Sequence, residues 1–319
     1  MINFMRYSRQ EKFIGKKAQN ILSKKTIAVV GLGALGSNSS NLLARAGINL
    51  ILIDYDKINL TNLQRQNIFT EEDIGKYKTE IIERYLNKVN SKIKIKSYNK
   101  KINKENINLI KSDLILDCTD NLEIRFLINE FCFKNNIPFV HAGAIQDKGV
   151  IFNVIPGKIC FNCIYKFTGE IERCEDFGVL NTITTLISSL QVNEALKILL
   201  NKNYENNLLR INLSNNTFDK IRVNKNLKCE ICNNKKIEKD FELTLCKTGK
   251  NLIVKSNKKL DLDKIRNKFG FLREDKFSIL IEIDNEEIII NNYEILFKTL
   301  KDENKILKIA KRICAIRMV

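Results

Sequence analysis

The chain has 319 residues, of which 44% are hydrophobic, so it can build the core of one large domain or of two smaller ones. No apolar stretch is long enough to span a membrane, and residues 1–6 lack the features of a signal peptide, so we expect a cytoplasmic protein without a membrane partner. The net charge of +17 fits either a nucleic-acid or acidic protein partner, or a lysine-rich composition with no clustered site.

The first elements form a strand, a glycine loop, a helix and a second strand. Residues 26–30 (TIAVV) are a short β-branched run that predicts a buried strand. The segment 31–36 (GLGALG) follows at once, and residues 37–46 predict a helix. A second apolar run, 48–53, ends at Asp54. This order is typical of a βαβ unit on a parallel sheet.

The chain up to residue 240 continues this alternation. After a helix-prone start, the sequence predicts helices at 71–90, 104–111, 122–134 and 182–200. It predicts strands at 92–98, 114–116, 138–142 and 149–155. Residues 201–226 are polar with short apolar runs. We therefore expect an α/β fold with a Rossmann-like, mostly parallel sheet flanked by helices.

The last part of the chain reads as a separate module, so we expect two domains, 1–240 and 241–319. The pattern predicts the order β-α-β-β-β-α, with strands at 252–255, 277–283, 286–290 and 294–298 and helices at 260–268 and 303–314. This is a small α+β domain, suited to docking or dimer contacts.

The glycine loop is the first chemical signal. Gly31, Gly33 and Gly36 stand between a strand and a helix, where glycine permits a tight turn and lets a phosphate approach the helix N-terminus. Asp54 ends the next strand, where a carboxylate can bind ribose hydroxyls. Taken alone, the pattern fits dehydrogenases, methyltransferases and adenylating enzymes, or a purely structural turn.

The residues after Asp54 favour a triphosphate. The segments 62–66 (NLQRQ) and 75–78 (GKYK) follow soon after the ribose acid, and basic side chains neutralise phosphate charge. The segment 117–121 (DCTDN) lies at the carboxyl end of a predicted strand, where a carboxylate can hold Mg²⁺ between phosphates. Each basic residue taken singly is better explained as a solvated surface charge, but the ordered set favours a triphosphate site.

The cysteines indicate a metal site. The chain has nine cysteines, an odd number, and four of them form two C-x-x-C pairs. Four thiolates suit a closed tetrahedral Zn²⁺ site, formed here by Cys160, Cys163, Cys229 and Cys232. A redox dithiol is the alternative. A zinc site with these ligands would tie residues 229–232 back onto the nucleotide domain.

Several motifs, in this order, resemble the ThiF/MoeB/HesA family, the prokaryotic relatives of the ubiquitin-activating enzymes. They are RYSRQ (6–10), GLGALG (31–36), DYD (54–56), NLQRQ (62–66), GKYK (75–78), DCTDN (117–121), GVL (178–180), SLQVNEALK (189–197) and the two C-x-x-C pairs. The resemblance covers residues 1–235. The chain departs from the family pattern in residues 181–187, where the family carries a Gly-Pro and further small residues.

The resemblance implies a set of site residues. Gly31, Gly33, Gly36, Asp54, Asp56, Asn62, Arg65, Gln66, Lys78, Asp120 and Asn121 would contact ATP or its Mg²⁺. Arg9 would reach the site of the partner in a homodimer, as a stabilising charge. The four paired cysteines would be structural zinc ligands. Cys174 would form a covalent link to a carrier protein or to its sulfur.

The implied reaction is attack of a carboxylate on the α-phosphorus of ATP, which gives an acyl-adenylate and pyrophosphate. The implied partner is a small ubiquitin-like sulfur carrier with a Gly-Gly C-terminus. Such an attack requires no general base, which fits a chain with a single histidine. Catalysis then rests on positioning and charge neutralisation.

Other interpretations remain open at this stage. The same site could adenylate a different carboxylate, on a peptide, a tRNA adduct or a cofactor precursor, and the positive charge permits tRNA as a partner without favouring it. The chain could also be an inactive nucleotide-binding scaffold or an NAD-linked oxidoreductase. For Cys174 a plain loop cysteine is the alternative. We expect a structural role for His141, and core or surface positions for Cys118, Cys132 and Cys314.

Overall fold

The computed structural model describes residues 5–164, 178–225, 229, 231–232, 243–248, 251–256, 259–275, 277–298, 300 and 302–314. The chain divides into two compact units, Met1–Lys235 and Lys236–Val319. Within the described residues, none of the helices combines the length and apolar character that a membrane crossing needs.

The first unit is built on an eight-stranded sheet. Its strands are β1 (Thr26–Val30), β2 (Asn49–Asp54), β3 (Ile95–Asn99), β4 (Leu114–Asp117), β5 (Phe139–Ile145), β6 (Lys148–Val154), β7 (Leu208–Asn212) and β8 (Thr217–Ile221). They lie in the order β3-β2-β1-β4-β5-β6-β7-β8, parallel through β5 and antiparallel beyond it. The prediction of a mostly parallel α/β sheet is confirmed.

Seven helices of this unit lie within the described residues. They are α1 (Ser8–Ile14), α2 (Lys16–Leu22), α3 (Ala34–Ala46), α4 (Lys78–Val89), α5 (Leu122–Asn135), α6 (Phe161–Ile164) and α7 (Asn181–Leu199). Three short 3₁₀ stretches, Leu60–Asn62, Glu71–Asp73 and Ile107–Ile110, join them.

The central strands are buried on both faces, which is why they read as continuous apolar runs. Ile27 and Val29 of β1 pack into the core cluster that contains residues of α3, α4 and α7. Ala28 and Val30, on the other face, pack with residues of α5 and α6. The strand order reverses between β1 and β4, and the crevice at the carboxyl ends of these two strands is the place where open α/β sheets bind ligands.

The structure differs from the sequence-based expectation in three segments. The helix expected at 71–90 is a 3₁₀ stretch and then α4, because Gly75 between them has a φ of +84° that a helix cannot include. The helix expected at 104–111 is only the 3₁₀ stretch Ile107–Ile110. The polar segment 201–226, for which no element was predicted, carries the β7–β8 hairpin, and its strand β8 forms the largely exposed edge of the sheet.

Within its described residues, the second unit is a six-stranded antiparallel sheet with two helices. Its elements are β9 (Leu243–Thr248), β10 (Asn251–Ser256), α8 (Leu262–Phe269), β11 (Arg273–Glu274), β12 (Ser278–Ile283), β13 (Glu286–Asn291), β14 (Glu294–Phe297) and α9 (Glu303–Cys314). The strand order is β11-β12-β13-β14-β10-β9. The predicted α+β module is confirmed, and β9 and β11 are strands that the sequence pattern did not predict. Its core is largely isoleucine from alternate strand positions, packed against α8 and α9.

Candidate active site

The glycine loop joins β1 to α3 in a conformation that requires glycine at two positions. Gly31 has a φ of +86°, and a Cβ there would lie 2.7 Å from the carbonyl oxygen of Cys118. A Cβ on Gly36 would lie 1.8 Å from the carbonyl oxygen of Gly31. A Cβ on Gly33 would meet Nε2 of Gln66 at 3.9 Å, an ordinary contact. The loop is therefore packed against the segment after β4 and stays close to Gln66.

Asp54, at the end of β2, is tied to the glycine loop. Its Oδ2 accepts a hydrogen bond from the backbone N–H of Leu32 at 2.6 Å, and its Oδ1 accepts one from the N–H of Asp56 at 2.8 Å. Burial raises the pKa of Asp54, although the charge of Lys78 and the two N–H donors oppose this. The carboxylate therefore stands beside the loop where a ribose would lie in a Rossmann-like site.

Lys78 begins α4 and points back toward the same region. Its Nζ lies 2.9 Å from Oδ2 of Asp56. The lysine side chain is 6% exposed, whereas that of Asp56 is 47% exposed. A cation this deeply buried needs a partner, and Asp56 supplies it. The glycine loop is thus flanked by a cluster of two carboxylates and one ammonium group, from Asp54, Asp56 and Lys78.

The segment between β2 and α4 carries the remaining predicted contacts. Oδ1 of Asn62 accepts from the N–H of Asn59 at 3.1 Å in a capping arrangement. Nη1 of Arg65 donates to the carbonyl oxygen of Thr61 at 2.9 Å, and the residue is half-buried. Gln66 is buried beside Gly33. Arg65 therefore retains further donors for a ligand beyond this turn.

Asp120 and Asn121 follow β4 at the crevice. Asp120 is exposed. Asn121 caps α5, with its Oδ1 accepting from the N–H of Ile124 at 3.1 Å. The glycine loop packs against Cys118 and Thr119 of the same segment, so the contacts bring the loops after β1 and β4 together. A carboxylate at this place can ligate a divalent cation.

The sequence analysis missed a buried polar cluster behind Asp120. Asp117, at the end of β4, is fully buried, and its Oδ2 lies 2.7 Å from Nδ1 of the equally buried His141. Nε of Arg125 is 3.6 Å from the same oxygen. The sequence held a partial signal, because His141 is the only histidine and lies in the predicted strand that follows the one ending at Asp117. The strand register that pairs them was not available from the sequence.

Gln191 of α7 was also missed as a site residue. It is fully buried, and its Nε2 donates to the carbonyl oxygens of Asp117 at 3.1 Å and Val140 at 3.0 Å. Its Oε1 accepts from Ser39 at 3.1 Å and from Cys118 at 3.3 Å. One side chain therefore links β4, β5, α3 and α7 at the crevice.

The four paired cysteines come together as predicted. The Sγ atoms of Cys160, Cys163, Cys229 and Cys232 all lie within 4.8 Å of one another. The spacings are 3.8 Å for Cys160–Cys163, 3.5 Å for Cys160–Cys229 and 3.1 Å for Cys163–Cys232. Zn–S bonds of about 2.3 Å in a tetrahedron place sulfurs about 3.8 Å apart, so the cluster could hold such an ion. Burial raises the pKa of the Cys160 thiol to about 12, and a bound cation would favour its thiolate.

The other predicted residues fall as follows. Arg9 lies exposed on α1, away from these contacts. Cys118 and Cys132 are buried core thiols, as expected, and burial raises the pKa of both. Cys314 is the last residue of α9. Cys174 lies outside the described residues.

The fold and site define a Rossmann-like nucleotide-binding protein with a four-cysteine cluster. The ThiF family model matches residues 7–231, and the chain belongs to the ThiF family. It is 32% identical over 238 residues to the molybdopterin-synthase adenylyltransferase of Escherichia coli, which covers 72% of this chain and 96% of that protein. It is 33% identical over 236 residues to the sulfur carrier protein ThiS adenylyltransferase of Bacillus subtilis, with 71% and 70% covered.

The fold is similar to that of E. coli MccB, solved with MccA-N7isoASN. The TM-score is 0.65 at 26% identity, and the match covers 71% of this chain and 74% of MccB. MccB is described as the microcin C7 biosynthetic enzyme, and it has also been solved with ATP. The family resemblance is confirmed, and the chain is an enzyme of the adenylyltransferase class.

Proposed function

We propose that this enzyme adenylates the C-terminal carboxylate of a small ubiquitin-like sulfur carrier that ends in Gly-Gly. The carrier carboxylate would attack the α-phosphorus of ATP, forming the acyl-adenylate and releasing pyrophosphate. The observation that carries the proposal is the assembly of Asp54, Lys78 and the Asp120 segment around one glycine loop, in a chain of the ThiF family. Relatives named for molybdopterin synthase and for ThiS support the choice of carrier.

In this proposal each loop has one task. Gly31, Gly33 and Gly36 let the phosphates approach the start of α3. Asp54 binds the ribose hydroxyls. Lys78 faces the phosphates, and its bond to Asp56 keeps the ammonium in place before ATP binds.

The remaining charged groups complete the nucleotide site. Arg65 neutralises phosphate charge. The loops around the nucleotide contain Asn62, Gln66 and Asn121. Asp120 would hold Mg²⁺, which would supply positive charge to neutralise the phosphates. No residue needs to act as a general base, because a carboxylate is already the attacking anion.

We propose Zn²⁺ as the ion of the four-cysteine cluster, since four thiolates at tetrahedral spacing are its usual structural site.

We further propose a homodimer in which Arg9 serves the site of the partner subunit. Cys174 would take part in a later thiol or sulfur transfer. We place the enzyme in the cytoplasm, where thiolate ligands stay reduced.

A second candidate function is adenylation of another carboxylate by the same site. The observation that favours it is the similarity to MccB, solved in complex with N-formylated MccA. A peptide C-terminus is chemically the same nucleophile as a carrier C-terminus. The two candidates differ in which substrate stimulates the reaction.

The test is ATP–pyrophosphate exchange with purified Gly-Gly carriers and, in parallel, with short peptides. We expect exchange that depends on the carrier and falls about 10²-fold in Asp120→Asn, because the isosteric amide cannot hold the cation. Glu123→Gln removes the same charge from an exposed site nearby and serves as the control. Exchange with peptides alone would select the second candidate. Exchange at the wild-type rate in Asp120→Asn would refute the role of Asp120.

A further inference from the structure

Two buried groups beside the nucleotide crevice have no part in the reaction described above. Asp117 ends β4, and His141 lies directly opposite it on β5 in the parallel register. Both are fully buried, so neither can touch ATP. They form a hydrogen bond of 2.7 Å between Nδ1 and Oδ2. A buried carboxylate is costly unless it is fully satisfied, so its retention needs a reason.

The other contacts of Asp117 lead to Thr119. Its Oδ1 accepts from the backbone N–H of Thr119 at 3.1 Å and from the Thr119 hydroxyl at 2.7 Å. Arg125, which lies beside Asp117, donates from Nη2 to the carbonyl oxygen of Thr119. The N–H, the carbonyl and the hydroxyl of Thr119 are therefore all held by these two side chains.

Thr119 immediately precedes Asp120. On the other side, Asn121 is fixed as the cap of α5, and its carbonyl accepts from the N–H of Arg125 at 3.2 Å. The backbone of Asp120 is thus held at both neighbours, although its side chain is exposed. Preorganisation of this kind is what a metal-binding carboxylate needs from the groups behind it.

We propose that His141 is a positioning residue for this site: through Asp117 it fixes the backbone that presents Asp120 to the cation. The inference deepens the proposed function and rests on the role of Asp120 given there. It assigns no contact between His141 and substrate. The imidazole acts only by holding the carboxylate that holds Thr119.

The imidazole is itself held in orientation. The ring of Phe161 packs edge-on against it, with centroids 4.8 Å apart and planes at 67°. The N–H of Phe161 donates to Oδ1 of the buried Asn129 at 3.0 Å, which anchors α6 to α5. Burial lowers the pKa of His141, so the ring is neutral and donates its Nδ1 proton to Asp117.

The test compares His141→Leu with His141→Asn. Leucine removes the donor, whereas the asparagine amide can replace Nδ1 as a donor to Asp117. ATP affinity is measured by calorimetry with and without Mg²⁺. We expect His141→Leu to weaken Mg²⁺-dependent ATP binding about tenfold, the range for a group supporting a metal ligand, with Mg²⁺-free binding unchanged. His141→Asn should retain most of the Mg²⁺ effect.

A matched control separates positioning from stability. Asn153→Leu also removes a buried hydrogen bond, from Nδ2 to Glu194 at 2.6 Å, on the same sheet. It should destabilise the fold and leave the Mg²⁺ effect intact. The inference is overturned if His141→Leu keeps the wild-type Mg²⁺ effect, if Asn153→Leu loses it equally, or if asparagine rescues nothing.

A separate NMR measurement shows whether His141 is the donor in its hydrogen bond to Asp117. His141 is the only histidine, so both ring signals in ¹⁵N-histidine-labelled protein belong to it. We expect a neutral ring protonated at Nδ1; a proton on Nε2 with Nδ1 unprotonated would contradict the donor role. Because ATP binding needs no carrier, wild-type protein that binds Mg²⁺·ATP but never exchanges pyrophosphate would refute the proposed function alone.

Discussion

Asp117 is fully buried and still ionised, and its neighbours explain how. Burial alone would raise the pKa of this carboxyl, but the hydrogen bond from His141 and the charge of Arg125 hold it below its usual value. Burial and the charge of Arg125 together lower the pKa of His141, although the hydrogen bond and charge of Asp117 oppose this. Both shifts agree on one state, a carboxylate that accepts from a neutral imidazole.

This state predicts a pH dependence of stability. In the unfolded chain His141 titrates near pH 6.5, whereas the folded pKa is lower, so the unfolded state takes up the proton first. The free energy of unfolding should therefore fall as the pH drops below about 6.5, by up to about 1.4 kcal/mol per pH unit. Asp117 adds a loss only at lower pH, below about 3.9.

Urea unfolding between pH 8 and 5 measures this dependence. His141→Asn keeps every other titrating group of the wild type. The difference between the two proteins in the slope of unfolding free energy against pH is therefore due to His141. We expect the variant to be less stable at neutral pH and to lose less on acidification. Equal slopes would mean that His141 is not buried as a neutral ring.

At the scale of elements, the sequence predicted what depends on local pattern. The runs TIAVV and LILD gave β1 and β4 because strands buried on both faces are apolar throughout. The β7–β8 hairpin was missed because its two short strands lie in a largely polar segment and show no long apolar run. The link of Asp117 to His141 was missed because it depends on register between strands that are distant in sequence.

Gln191 shows how one side chain can join four elements. Its amide satisfies carbonyls of β4 and β5 and accepts from α3 and from Cys118. We expect Gln191→Leu to lose about 3 kcal/mol of stability, because two buried carbonyls and a hydroxyl lose a partner. Hydrogen–deuterium exchange should accelerate in β4 and β5. Gln64→Leu, at an exposed site, should change stability by no more than about 0.5 kcal/mol.

At the scale of the whole molecule, the position of α1 bears on the proposed dimer. Gln10 donates to the carbonyl oxygen of Ala46 at 3.2 Å, and Tyr7 packs against Gly47, so α1 lies at the C-terminal end of α3. The glycine loop is at the N-terminal end of α3. A helix of 13 residues is about 20 Å long, more than an arginine side chain can span. Arg9 is thus poorly placed to serve its own site, which supports a role in the partner subunit.

Complementation between two inactive variants tests this role. Arg9→Ala and Asp120→Asn should each abolish most pyrophosphate exchange as homodimers. In mixed dimers from co-expression, one site would combine an intact Arg9 with an intact Asp120, so activity should return to about a quarter of the wild-type level. Co-expression of Asp120→Asn with Lys78→Ala is the control: both residues serve the site of their own protomer, so each site of that mixed dimer is damaged and activity should not return. The decisive comparison is the double variant Arg9→Ala/Asp120→Asn mixed with wild type. If Arg9 acts across the dimer, both sites of that mixed dimer are damaged; if Arg9 acts within its own protomer, the wild-type site remains active and the proposed exchange of arginines is wrong.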